Sequence, residues 1–188
     1  MKNIILASAS PRRRKIMDKL NLPYRVVISN VKEVMREDLY LEKRIENLAL
    51  QKAEAVFKDN QDCVVIGADT VVVLNGEVLG KPHNMTEARE MLKKLSGHTH
   101  EVITAYAVLT DEKKVLSYDT ALVKFADISD EEIEKYIQTR EPYDKAGGYA
   151  VQGWASVFIE KIDGSFYTVM GLPLHLIYKE LKKLGYYD

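Results

Sequence analysis

The chain has 188 residues, 46% of them hydrophobic, and a formal charge of −1 from 27 Lys and Arg against 28 Asp and Glu. That length fits one domain, or two small lobes sharing a sheet, with room for a real core. The near-neutral balance gives no bulk electrostatic case for binding nucleic acid or a membrane, a lone cysteine (Cys63) excludes an internal disulfide and a cysteine-based zinc site, and no stretch reaches transmembrane length.

Asn3 to Ala7 reads as a short apolar strand, too short to be a signal sequence, so a soluble cytoplasmic protein is expected. A helix through Leu20 follows, with Ser10 as N-cap and Pro11 at its first position. Its first charges have the wrong sign. Arg12, Arg13, Arg14 and Lys15 crowd the positive end of the helix dipole, each unfavourable by roughly 0.3–1 kcal/mol if unpaired. A bound anion reverses that sign, and the hydroxyls of Ser8 and Ser10 with the guanidinium forks would suit a polyphosphate. A solvated basic turn explains Arg14 and Lys15 as well; a small RNA contact is a third reading, on a chain that is not otherwise basic.

Tyr24 to Ile28 could form an edge strand, and Ser29 to Asp38, with Glu33 inside it, is polar and loop-like. Leu41 to Lys58 has the spacing of an amphipathic helix, its stripe set by Ile45, Leu48, Ala49 and Val56. Lys52 falls within that stripe. Such a lysine often snorkels outward, but apolar neighbours on both sides favour an inward ammonium that meets phosphate or Asp69.

Cys63 to Val73 is apolar on both sides of a short break and dominated by β-branched residues, the pattern of a strand covered on both faces. Asp69 and Thr70 sit in the break. A carboxylate there needs a cation, a metal or donors nearby to stay ionised, and an ordinary ion pair with arginine would serve as well. Gly67 permits a close backbone approach. Asn75-Gly76 marks a two-residue hairpin, and Lys81, held before Pro82, is a third cation that could address the same anion.

Thr86 to Leu95 is the next helix, with Gly97 beyond its end. Alternation predicts long strands over Thr99 to Thr110 and Val115 to Ala126. Ser129-Asp-Glu-Glu132 is a capping-box pattern, with Glu131, Glu132 and Glu134 expected on a solvated face. Arg140 to Gly153 resembles a binding loop. Trp154 to Ile162 and Phe166 to Met170 are expected to pair as a second hairpin, and Pro173 to open a closing helix. The four histidines lack metal-ligand spacing, and the glycines match neither a dinucleotide fingerprint nor a P-loop.

In chain order, Ser8-Ala-Ser-Pro-Arg-Arg13, the helix around Lys52-Ala53, Gly67-Ala-Asp-Thr-Val-Val72, Gly80-Lys-Pro82, Asp144-Lys-Ala-Gly147, Gln152-Gly153 and Gly171-Leu-Pro-Leu174 resemble the Maf family of nucleoside triphosphate pyrophosphatases, along nearly the whole chain. The resemblance implies one such domain over residues 1–188 and a fold similar to the inosine triphosphate pyrophosphatases: α/β, a long mixed twisted sheet flanked by helices, two lobes and a central cleft. It implies hydrolysis of the α–β phosphoanhydride, with Asp69 as proton acceptor and as ligand, with Glu33, of a divalent cation, Mg²⁺ or Mn²⁺. Lys32 stands where an acidic residue is common in the family. Arg12, Arg13, Lys52 and Lys81 would neutralise the triphosphate and the departing pyrophosphate, beside the Ser8 hydroxyl. Gln152, with Arg12 and Thr70, resembles the subgroup acting on dTTP and UTP. A different class of reading is a non-catalytic nucleotide-binding regulator of septum formation. Either is compatible with a homodimer.

Overall fold

The computed structural model describes residues 1–187. Strand β1 (Asn3–Leu6) buries Ile4, Ile5 and Leu6 completely, and it pairs in parallel with both β2 (Tyr24–Val26) and β3 (Cys63–Leu74). The antiparallel return strand β4 (Glu77–Leu79) follows the Asn75-Gly76 turn, where both residues take positive φ (50° and 81°), as a type I′ hairpin requires. With β5 (Thr99–Leu109), β6 (Lys114–Phe125) and β7 (Ile159–Asp163), a seven-stranded mixed sheet forms in the order β2-β1-β3-β5-β6-β7, with β4 on β3. The expected α/β class with a long mixed sheet flanked by helices is thus present.

The chain divides into two compact units, each discontinuous in sequence. The first comprises Met1–Asp69, Thr104–Asp119 and Gly171–Asp188. Its helices are α1 (Pro11–Met17), continued by a 3₁₀ turn to Leu20, α2 (Leu41–Phe57) and the closing helix α6 (Leu174–Lys183). Ser10 caps α1 through a hydrogen bond from the Arg13 N–H, and Pro11 occupies the first helical position. The apolar stripe of α2 is buried as its spacing predicts, with Ile45, Ala49 and Ala53 fully inside. This helix lies so close to β3 that a Cβ placed on Gly67 would sit 2.5 Å from the Ala49 carbonyl oxygen and 3.0 Å from the Ala53 Cβ. Only glycine allows that approach.

The second unit comprises Thr70–Ile103 and Thr120–Met170. Here α3 (Met85–Leu95) and α4 (Asp130–Ile137) pack together over a core that includes Leu92, Leu95, Val123, Phe125, Ile133 and Tyr136. The Ser129–Glu132 capping box is formed. Glu132 and Glu134 are not merely solvated, because Glu132 bonds back to the cap and Glu134 takes both ends of the Arg89 guanidinium, one at 2.9 Å. That second pairing comes from the meeting of α3 with α4, which local sequence does not encode.

The expected second hairpin is absent. Trp154–Phe158 is a 3₁₀ turn, only Ile159–Asp163 is a strand, and Phe166–Met170 is the short helix α5. The Glu141 carboxylate accepts the N–H groups of Trp154 (2.9 Å) and Ala155 (3.3 Å), and the Ser165 carbonyl accepts those of Thr168 and Val169. With these donors satisfied in turns, the aromatic and β-branched composition does not produce strands.

Candidate active site

Lys52 is the residue around which the first unit's polar side chains gather. It lies on α2 directly before buried Ala53, and its head reaches Asp69 on β3. Its Nζ donates to Asp69 Oδ1 and stands 3.2 Å from Glu33 Oε2. The side chains of Lys52 and Asp69 are only 15% and 16% exposed, so this contact is shielded from water in a way that a surface ion pair is not. One ammonium holds two carboxylates. Asp69 is the last residue of β3 in this unit, half-buried directly after the buried run Cys63–Ala68, and Glu33 comes from the irregular segment between β2 and α2.

Arg13 is the second cation. Its Nε donates to the Gly171 carbonyl at 2.7 Å and its Nη1 to Ser8 Oγ at 3.3 Å, while Ser8 Oγ also accepts the Ser10 N–H at 3.2 Å. Ser8 is buried two residues past the end of β1, so the hydroxyl aligns the guanidinium from a fixed base. Burial pulls the Arg13 pKa below its ordinary value; Asp69 draws it back up, neighbouring Arg12 lowers it, and Glu33 raises it. An arginine remains a cation throughout the physiological range, and these influences place Arg13 in the electrostatic field of both carboxylates. The first unit therefore brings together Ser8, Arg13, Glu33, Lys52 and Asp69, and Arg12 precedes Arg13 in the first turn of α1.

Thr70, Lys81 and Gln152 belong to the second unit. Thr70 is half-buried on β3. Lys81 is exposed two residues after the end of β4, beside the buried Pro82. Gln152 is exposed in a turn that follows buried Val151.

A divalent cation fits the carboxylate pair. Asp69 and Glu33 offer oxygen donors alone, and magnesium is commonly held by one or two carboxylates with water and substrate phosphate completing its shell. Among the described residues, no group of three or more His, Cys, Asp or Glu side chains is placed to hold a metal ion. Among the described residues, no helix is long and apolar enough to cross a membrane.

Sequence reasoning missed several structural partners. The Gly171 carbonyl lies in a motif that carried the resemblance but had no assigned task; an arginine paired with a distant main-chain oxygen leaves no local signal. Glu141 sits in the glycine-rich loop as one polar residue among many. His100 gave no sign beyond falling on the inward register of β5.

The family model described as "Maf-like protein" matches residues 3–184. The dTTP/UTP pyrophosphatase of Bacillus velezensis is 46% identical over 184 residues, covering 98% of this chain and 97% of that one. The enzyme of the same name from Bacillus cereus strain G9842 is 45% identical, covering 97% and 96%. In structure, the chain resembles the Ham1 protein of Staphylococcus aureus with a TM-score of 0.58 at 15% identity, covering 97% of this chain and all of that one, a likeness of fold. With a family model spanning nearly all of its length and full-length relatives above 40% identity, the chain belongs to the Maf family.

Proposed function

We propose that the protein is a nucleoside triphosphate pyrophosphatase that hydrolyses dTTP and UTP, and modified pyrimidine nucleotides of the same shape, to the monophosphate and pyrophosphate. The observation that carries the reading is the shielded Lys52 ammonium between Asp69 and Glu33, with Arg13 in their field. The names of the full-length relatives supply the substrate class.

The residues divide the work as follows. Asp69 accepts the proton of the attacking water, and Lys52, bonded to its Oδ1, holds the carboxylate in place. Arg13, held by Gly171 and Ser8, gives a positive charge that does not have to reorganise as charge builds on the departing pyrophosphate. Arg12 and Lys81 add to that charge, Ser8 and Thr70 offer hydroxyls, and the Gln152 amide pairs with the N3–H and a carbonyl of thymine or uracil. A bound Mg²⁺ or Mn²⁺ on Asp69 and Glu33 would supply further neutralisation of phosphate oxygens. The setting implied is a cytoplasmic enzyme that clears unwanted nucleotides.

The test is incubation with dTTP and Mg²⁺, scored for dTMP and pyrophosphate. Asp69→Asn is expected to lower kcat by about 10²–10⁴-fold, the usual contribution of a general base, while dTTP binding changes little. Wild-type protein that binds dTTP but never turns it over would instead support the regulator reading.

A further inference from the structure

We propose that His100 and Glu141 are positioning residues for base selection, clamping the two ends of the short segment that presents Gln152. The proposal rests on the reading of Gln152 as the group that meets the base. A primary amide is ambiguous: in one orientation it complements thymine or uracil, and flipped it complements cytosine. Which face serves depends on where the turn aims the amide against the base, and so on how firmly the backbone is held; Gln152 itself is exposed.

The segment is short and tightly closed. The Gly153 N–H donates to the Ala150 carbonyl at 3.0 Å, so Ala150 to Gly153 form one turn with Val151 pointing inward. On the leading side, Tyr149 is buried and its hydroxyl lies 2.7 Å from His100 Nε2. The Tyr149 ring meets Phe125 edge-on at 4.8 Å, and His100 meets the same Phe125 at 5.0 Å, so the pair is set in an aromatic cage. The carbonyl of the preceding residue, Gly148, accepts from the Tyr136 hydroxyl at 3.1 Å. On the trailing side, Glu141 receives the Trp154 and Ala155 N–H groups and also the Tyr136 hydroxyl at 3.0 Å. Tyr136 thus sits between the two clamps, its single hydroxyl proton shared between the Gly148 carbonyl and the Glu141 carboxylate.

The leading clamp carries a cost. His100 is 1% exposed, and its Nδ1 has no hydrogen-bond partner among the described residues. Burying an unsatisfied ring nitrogen is unfavourable, and a phenylalanine would fill this cage without that atom. What histidine adds over phenylalanine is the single directional bond to Tyr149. A bond of that kind fixes one geometry of the turn at some expense of stability, which is what a reader of a two-faced amide needs.

The experiment uses the full chain and five variants: Tyr149→Phe, His100→Phe, their double, Glu141→Gln and Gln152→Ala. Steady-state kinetics with dTTP and dCTP are combined with amide hydrogen exchange over residues 149–155. Tyr149→Phe removes one oxygen and keeps the ring. It is expected to raise KM for dTTP about 5–10-fold with a smaller change in kcat, the size of one lost buried hydrogen bond, to shrink the dTTP-over-dCTP preference comparably, and to speed exchange at Val151 to Gly153. His100→Phe should do the same with a modest fall in Tm, because the buried Tyr149 hydroxyl loses its partner, and the double variant, which removes both ends of the bond, should add nothing further to the loss of preference. Glu141→Gln should loosen the trailing side, with faster exchange at Trp154 and Ala155. If Gln152→Ala abolishes the preference while Tyr149→Phe and Glu141→Gln leave both preference and exchange at wild-type values, the clamps are refuted. If Gln152→Ala leaves the preference intact, the base-reading assignment fails and the role in selection fails with it, whereas the exchange data still decide whether the clamps hold the turn.

Discussion

Replacing Gly67 by alanine would push α2 away from β3 at the point where Lys52 reaches Asp69. The added Cβ would lie 2.5 Å from the Ala49 carbonyl oxygen, and real Cβ atoms essentially never come within 3.0 Å of such an atom, so helix and strand must part by at least 0.5 Å (3.0 − 2.5). The obstructing group is main chain and cannot swing aside. Overpacking of this kind costs about 1–3 kcal/mol. For a chain of this size, about 2 kcal/mol corresponds to a fall in Tm of roughly 4–8 °C. The catalytic effect follows from the same movement. Lys52 directly precedes Ala53, whose Cβ is the second atom in the way at 3.0 Å, and Asp69 is two residues along the strand from Gly67. A displacement near 1 Å in a reacting constellation can cost about 10²-fold, so half of that points to roughly a tenfold loss in kcat/KM for dTTP. Thermal unfolding and steady-state kinetics on Gly67→Ala measure both quantities. A variant with wild-type Tm and wild-type kcat/KM would show that α2 and β3 are not held at the separation described, and the geometry assigned to Lys52 and Asp69 would lose its basis.

Acid should destabilise the protein through His100. Burial pulls its pKa down from 6.5 to about 4, so the folded ring stays neutral while the unfolded ring takes a proton below 6.5. Stability from this source is therefore intact above 6.5, is lost as pH falls from there to about 4, and changes no further below that. The 2.5-unit gap (6.5 − 4) is worth about 3 kcal/mol. Denaturant titrations of wild type and His100→Phe should agree in pH dependence above pH 7 and diverge toward pH 4; parallel curves would refute it. Removal of divalent cations by EDTA should abolish dTTP turnover, and Mg²⁺ or Mn²⁺ should restore it, with Glu33→Gln raising the Mg²⁺ concentration needed for half-maximal rate; turnover that persists in EDTA would exclude the assignment of Asp69 and Glu33 as ligands.

Local patterns in the chain foretold the elements whose stability is local. Ser10 before Pro11, Asn75-Gly76 and the Ser129–Glu132 box each satisfy their own backbone groups within a few residues, and each forms where expected. The inward course of Lys52 was also legible, because its helical neighbours on both sides had to be buried. Its second partner was harder. Glu33 lies in an aperiodic polar segment, and nothing nearby distinguishes it from the other acidic residues there. The mistaken second hairpin has the same origin in reverse: Trp154 to Phe158 carries a strand-like composition, but a carboxylate from thirteen residues earlier takes the N–H groups a strand would need. The Arg13 anchor on Gly171, 158 residues away, lies wholly outside local reasoning.

Cys63 is the lone thiol of the chain, and it opens β3 opposite Asn3, 6% exposed. That makes the molecule self-reporting. A thiol-reactive probe has a single target, hidden behind the parallel pairing of the first strand, and labels it only when that part of the sheet lets go. The labelling rate therefore reads opening near the amino terminus directly, with no engineered cysteine and no background to subtract.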